Sequence, residues 1–489
     1  MNYLFSSIQQ LKEKIRNKSL SPQELSDRLT SRCNSVQEKY NAFISIDPDV
    51  ISKEIAVLFE NIEDILHKTD NLPLTGLAGF TYALGDNIAT NCYATTCASK
   101  MLSSYSPPFD AHVFSKLKES SAIITGKTNM EEFGIGCSGN SSFFKGVKNP
   151  WNTKHTAGSG AAAAALTGAA NISFASDARG ELRQAASYCG VFALKPTYGR
   201  ISRRGLLDYA SSLETIGLMA RNTLDLATAL AAVAGNDPHD VTALRSEVPD
   251  YISLIKENDG SLQVAVPENW QDAPHLEDEM KDIFQDQLKK LKTTGVKVDF
   301  IRLPHFQYSS LAATIISAVE AFSNLANYDG VRFGYRSKGK HLQEMYTQTR
   351  SEGFSSKLKK FLTFGALISS PKYYNDYFLK AQKLRIVISD ELNNCLQKYD
   401  LLLTPTTPFK APEFERDINQ RQEGLPDPAG YYTAATNLAG LPSLSFPLHT
   451  NGLPYGLQLI GKKEDEVTLL RAALLLEKEN TLAWPKFDF

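Results

Sequence analysis

Residues 157–197 read AGSGAAAAALTGAANISFASDARGELRQAASYCGVFALKPT, and the fold is decided there. A loop of small residues, Gly158-Ser159-Gly160, leads into an unbroken run from Ala161 to Ala165. Alanine loses no side-chain freedom in a helix, so the run predicts one. A short buried strand is expected over Ile172 to Ser176, then a sharp turn at Asp177 to Gly180, then a helix carrying Arg183 and Gln184. Loop, helix, strand, turn and helix in that order aim backbone N–H groups into a pocket.

Outward from this stretch, strands and helices alternate. Thr75 to Tyr82 reads as a strand, Ala111 to Glu119 as a helix, and Ala122 to Thr125 as a strand ended by Gly126. Further on, Leu262 to Val266 alternates as a strand and stops at Pro267. Met280, Ile283, Phe284, Leu288 and Leu291 mark one helix face, and Val296, Val298 and Phe300 the next strand. Leu401 to Pro405 is a buried strand, 409–430 a polar surface loop, Tyr455 to Ile460 a last strand and Glu464 to Lys478 a last helix. The class is α/β, with a large mixed, mostly parallel sheet covered by helices on both faces.

The N-terminus divides from this core by composition. Leu4, Ile8, Leu11 and Ile15 share a helix face over residues 3–17, and Ser21-Pro22-Gln23-Glu24 is a capping box that starts a second helix running to Tyr40. The expected division is an N-terminal helical segment, 1–72, and one large domain, 73–489, with a helical, variable insert at 305–400.

Composition narrows the function. Hydrophobic residues at 42% and charged residues at 22% suit a soluble globular chain, and the net charge of −2 gives no reason to expect direct nucleic-acid binding. The six cysteines are scattered without a CxxC, which fits a reducing compartment. Charge runs through the N-terminal residues, and no small-residue run is long enough for a membrane span, so a cytoplasmic location is expected. The eight histidines form no HExxH, and no metal or cofactor is expected. Gly158 to Ala163 fits the loose dinucleotide pattern, but that pattern needs a strand directly before it, where KNPWNTKHTA stands.

Ordered motifs flank the central stretch: CASKM (97–101), GKTNMEEF (126–133), KNPW (148–151), RQAASYCGVFALKPTYGR (183–200), YDGVRFGY (328–335), TRSEGF (349–354) and NLAGLPS (437–443). On these residues the chain resembles the amidase signature family over residues 74–478, and within it the A-subunit branch of the glutamyl-tRNA amidotransferases, which release ammonia from glutamine. The resemblance implies the amidase-signature fold. It also implies a catalytic lysine, a bridging serine and a nucleophilic serine. Matched motif by motif, these fall on Gly85, Gly160 (counted without gaps from Trp151) and Glu181. Substrate-binding positions fall on Arg350, Arg179, Asp177, Arg183 and Gly430, of which Asp177 and Arg183 are expected to hold the turn itself.

The chemistry of the family depends on neutral lysine drawing a proton from serine through the bridging hydroxyl. Glycine at 85 and 160 relays nothing, and a glutamate attacking an amide would form an anhydride while expelling a poor leaving group. Arg179 and Glu181 are expected to satisfy each other and plug the pocket. The reading at this level is therefore a catalytically inactive family member that acts through a partner, a B-subunit-like protein, or through small-amide binding. The alternative is an active amidase or amidotransferase subunit with a site rebuilt around Glu181 and Arg179.

Overall fold

The computed structural model describes residues 13–14, 17, 19–60, 77–137, 139–257, 262–414, 426–450, 452–480 and 482–487. The helix expected over 3–17 lies almost wholly outside them, as does the middle of the 409–430 loop.

An eleven-stranded sheet forms the centre. Its strands are β1 (Phe43–Ser45), β2 (Thr81–Gly85), β3 (Ile123–Thr128), β4 (Ile172–Asp177), β5 (Phe192–Lys195) and β6 (Thr215–Ala220). The rest are β7 (Gln263–Pro267), β8 (Lys297–Ile301), β9 (Leu401–Pro405), β10 (Ser443–Leu448) and β11 (Tyr455–Gly461). They lie in the order β1-β3-β2-β4-β6-β5-β10-β11-β9-β7-β8. Parallel pairs form two blocks, β3-β2-β4 on one side and β9-β7-β8 on the other. Between them every pairing from β4 through β6, β5, β10 and β11 to β9 is antiparallel, as is β1 on β3. The sheet is mixed and flanked by helices as expected. Its antiparallel share is larger than the alternation of strands and helices implied, because every neighbour pair from β4 to β9 across the centre runs in opposite directions.

Side chains alternate across this sheet as strand geometry requires. Tyr82 and Leu84 enter one hydrophobic cluster and Ala83 between them the other; Phe192 and Leu194 divide from Ala193 in the same way. Both faces are therefore covered.

Helix α1 (Pro22–Tyr40) starts as the capping box predicts: the Ser21 side chain accepts the Glu24 N–H, and Asn41 closes the end in the left-handed region. The alanine run forms α2 (Gly160–Thr167), capped by Ser159 and closed by Gly168 at φ 70°. All five alanines are fully buried, where α1, β4 and the next helix, α3 (Glu181–Cys189), pack against α2. Only methyl side chains let elements approach that closely on every side. The 305–400 region is helical: α5 (Ser356–Ser369) and α6 (Leu379–Lys398) each pack on α4 (Ser309–Asn324). By length and composition alone, the helical stretch Phe306–Asn327 is apolar enough to cross a membrane, but most of it is buried in this core.

Two strand boundaries differ from expectation. Gly79 turns the chain at φ +77°, so β2 begins at Thr81, and residues 75–76 of the expected strand lie outside the described residues. Gly126 does not end β3: it sits in the strand at φ +148°, where a Cβ would lie 2.3 Å from the Ser45 carbonyl oxygen, and the β2 register shifts there. It is a bulge, and β3 continues to Thr128.

Candidate functional site

The turn after β4 is built by two buried side chains. Asp177 Oδ1 accepts the Gly180 N–H at 2.8 Å, and its two oxygens take Nη2 and Nε of Arg183 at 2.8 Å each. Arg183 reaches on to the Thr433 carbonyl (3.0 Å), Thr436 Oγ1 (2.7 Å), Gln458 Oε1 (2.5 Å) and Asn437 Oδ1 (2.7 Å). Burial alone would raise the Asp177 carboxyl, but the guanidinium beside it holds it below its ordinary value. Neither side chain is exposed, so both serve the turn and neither faces a ligand. Gly180 stands at φ +115°, where a Cβ would meet Thr433 Oγ1 at 2.0 Å; only glycine fits.

Glu181 begins α3 and bends back over this turn. Its Oε2 accepts the N–H groups of Ala178 (3.0 Å) and Arg179 (2.7 Å). Its Oε1 accepts the Tyr209 hydroxyl (3.0 Å) and Arg179 Nε (3.3 Å). Arg179 and Glu181 thus satisfy each other, with the guanidinium 5.3 Å from the Phe361 ring. Two convergent N–H groups at a helix N-terminus form an anion-binding nest, and here the nest is filled by the chain's own carboxylate.

Beside it lies a cavity lined by Gly85, Glu131, Ser159, Ser176 and Glu181 among others. Its volume is about 20 Å³, room for one water-sized group. Gly85 brings its bare backbone to the wall; a Cβ there would lie 3.2 Å from Asn87 Oδ1. Gly160 is different. A Cβ on it would stand 1.9 Å from the Ala42 carbonyl oxygen, against β1 and away from the cavity. The ungapped count from Trp151 therefore puts the bridging-serine position one residue off the cavity, and the hydroxyl of that loop on the cavity wall belongs to Ser159.

The remaining pair is further out. Arg350 Nη1 donates to the carbonyls of Leu325 (2.9 Å) and Tyr328 (3.1 Å), and its guanidinium lies 5.0 Å from the Phe354 ring. Gly430 lies against the Arg179 turn, where a Cβ would be 3.7 Å from the Arg179 carbonyl oxygen. Neither lines the cavity. Residues 152–156 do form a strand directly before Gly158, contrary to expectation, but it belongs to a separate two-stranded hairpin and not to the sheet that a dinucleotide loop requires. Among the described residues no cluster of His, Cys, Asp or Glu could hold a metal ion.

Three contributors were not singled out from sequence: Asn87, Tyr209 and Glu214. Asn87 and Tyr209 come from loops, and Glu214 is the residue just before β6, a strand with no alternation to announce it.

The profile of the family described as Amidase matches residues 24–470. The chain is 39% identical over 488 residues to the glutamyl-tRNA(Gln) amidotransferase A subunit of Carboxydothermus hydrogenoformans, covering 98% of both. It is 40% identical over 476 residues to that of Moorella thermoacetica, covering 94% of this chain and 96% of the relative. The crystal structure of the corresponding protein from Thermotoga maritima matches with a TM-score of 0.76 at 31% identity, over 98% of this chain and 95% of that one. These matches overturn the expectation of an inactive protein that is not an enzyme: the agreement runs through nearly the whole length of proteins named as amidotransferase subunits.

Proposed function

Because the chain belongs to the amidase family, we propose that it works as an amidotransferase A subunit that hydrolyses glutamine or another small amide at a site rebuilt around Glu181 and Arg179. The observation that carries this reading is the full-length relation to proteins of that name. In it, Gly85 and Glu181 stand at the positions of the family's lysine and nucleophilic serine, and the loop hydroxyl on the cavity wall is that of Ser159, so the proton relay of the family falls to other groups.

Glu181 and Arg179 suit a carboxamide. Such a group presents a carbonyl oxygen that accepts and an NH2 that donates. The Ala178 and Arg179 N–H groups and the Arg179 guanidinium are donors; the Glu181 carboxylate is an acceptor. An amide entering the cavity takes the N–H groups from Glu181, and the released carboxylate receives the amide's own N–H. Charge developing on the carbonyl oxygen would then meet donors already held at the α3 N-terminus. Opening is part of this mechanism, since the closed cavity has room for little more than a water molecule.

The relatives' name also supports a partner. They are subunits, and their name includes a glutamyl-tRNA. We place this chain on the ammonia-releasing side of such an assembly, in the cytoplasm, with a B-subunit-like protein as its companion and no direct nucleic-acid contact of its own, in keeping with a net charge of −2.

The test is ammonia release from glutamine, asparagine and simple amides by the purified chain and by the chain captured with its partner. Turnover that drops on the order of 100-fold in Glu181→Gln supports the reading. No ammonia from either preparation ends it.

A further inference from the structure

The site described so far holds an amide but names no nucleophile. Strand β4 pairs with β6 so that Ser176 lies opposite Ile216 and Asp177 opposite Thr215, which brings Glu214, one residue earlier, up beside Ser176. The Ser176 hydroxyl accepts from Asn87 Nδ2 at 2.9 Å. Glu214 is aligned in turn by the Tyr209 N–H at 3.0 Å and by Asn87 Nδ2 at 3.5 Å. Both groups reach one gap: a Cβ on Gly134 would lie 3.5 Å from Ser176 Oγ and 3.8 Å from Glu214 Oε1. Ser176 lines the cavity.

A separate observation points to a ligand. Asn87 is fully buried, its Oδ1 meets no donor, and that oxygen faces the bare backbone of Gly85 on the cavity wall. A buried acceptor left open costs about 1–3 kcal/mol, and an N–H of a bound carboxamide would satisfy it.

We infer that Ser176 is the nucleophile of this site and Glu214 its general base, with Asn87 orienting both and receiving an N–H of the amide. The inference rests on the amide-hydrolysing reading above. Ser176 Oγ attacks the carboxamide carbon while its proton passes to the Glu214 carboxylate. The C–N bond breaks, Glu214 returns the proton to the departing nitrogen, and ammonia leaves with the acyl group esterified to Ser176. Water then attacks the ester, giving its proton to Glu214, and the C–O bond breaks as Ser176 is reprotonated. The sum is amide plus water to carboxylic acid plus ammonia. Asn87 Nδ2 donates to both nucleophile and base and so holds them side by side for this chemistry.

Burial, with Asp208 and Glu181 close by, pushes the Glu214 carboxyl well above its ordinary range, while the Ser176 hydroxyl and the Tyr209 N–H pull it down. Cys97 on the facing loop is held protonated by burial, and Arg179 sits across Tyr209 and Glu181. The proton-accepting form of Glu214 therefore gains toward alkaline pH, and turnover rises in that direction.

The experiment measures ammonia release and, separately, acetyl transfer from p-nitrophenyl acetate, with the acetylated residue located by peptide mapping. Ser176→Ala, Glu214→Gln and Ser159→Ala are compared with the parent, each checked for an unchanged circular dichroism spectrum. The expected result is acetyl on Ser176, lost in Glu214→Gln, and amide turnover lowered on the order of 1000-fold in Ser176→Ala. Acetyl on Ser159, or turnover that survives Ser176→Ala but not Ser159→Ala, overturns the inference, as does no acetylation at all. If Ser176 is acetylated while no amide yields ammonia, the nucleophile stands and the amide reading falls. Should Ser176→Ala misfold, Ser176→Cys supplies the same test through S-acetylation at that position, with p-nitrophenolate as the leaving group.

Discussion

Placing a methyl group on Gly160 tests how the central loop is seated. Its carbon would stand 1.9 Å from the Ala42 carbonyl oxygen and 2.8 Å from the backbone N and O of Asn129. Carbon–oxygen contact begins at about 3.3 Å, so the Ala42 strand must withdraw by more than about 1 Å. Two hydrogen bonds cross the gap, Asn129 N–H to the Ala42 carbonyl at 2.8 Å and Gly160 N–H to the Asn129 carbonyl at 2.7 Å. Losing both removes about 1 kcal/mol each, and the crowding adds about 1–3 kcal/mol. Gly160→Ala is therefore expected to destabilise by about 3–5 kcal/mol. At about 2.1 cal/mol/K per residue, a chain of this size loses about 3–5 °C in Tm. Thermal unfolding followed by circular dichroism reads this, with Ser159→Ala as companion, expected to lose only its helix cap, about 1 kcal/mol. A Gly160→Ala protein melting within 1 °C of its parent refutes the reasoning. Gly160→Ser carries the same clash, so installing a serine there does not reinstate the family's bridging hydroxyl.

Arg183→Met leaves Asp177 charged and buried without its partner, and should cost about 3–5 kcal/mol in urea unfolding; a loss below about 1 kcal/mol contradicts the role given to the pair. Glu54 gives a pH signature. Burial lifts its carboxyl to about 7, against the pull of the Ile124 N–H bond. Since the folded value lies above the unfolded one, its contribution is complete below the unfolded carboxyl value and is lost as pH rises toward 7, on the order of 2 kcal/mol for a half-buried group. Glu54→Gln should flatten that decline between pH 4.5 and 7; an identical slope in parent and variant rules it out.

What sequence could reveal depended on solvent. The helix Asp278–Thr293 keeps an exposed side, so its periodicity is written in the residues, whereas the strand Gln263–Pro267 is buried past Gln263 and is marked by Val264 and Val266. Thr215–Ala220 and Ser443–Leu448 are buried at every position, and Pro447 interrupts the second, so no alternation marked them. The turn at Asp177 and Arg183 was legible because its partners are close in sequence. Ser176 and Glu214 were not, because only the β4–β6 register joins them. The motif count from Trp151 missed the cavity by one residue because it knew nothing of β1 behind Gly160.

The three residues of β1 also have a consequence for solubility. They close the β3 border of the sheet, which would otherwise offer a row of unpaired amides and carbonyls to any passing strand. The opposite border, Lys297–Ile301, instead carries Lys297 and Asp299 with partly exposed faces. One margin is shielded by a segment borrowed from the N-terminal helices and the other by charge. A chain trimmed up to residue 46 would keep its cavity residues but gain a sticky border, and would be expected to self-associate before it lost its fold.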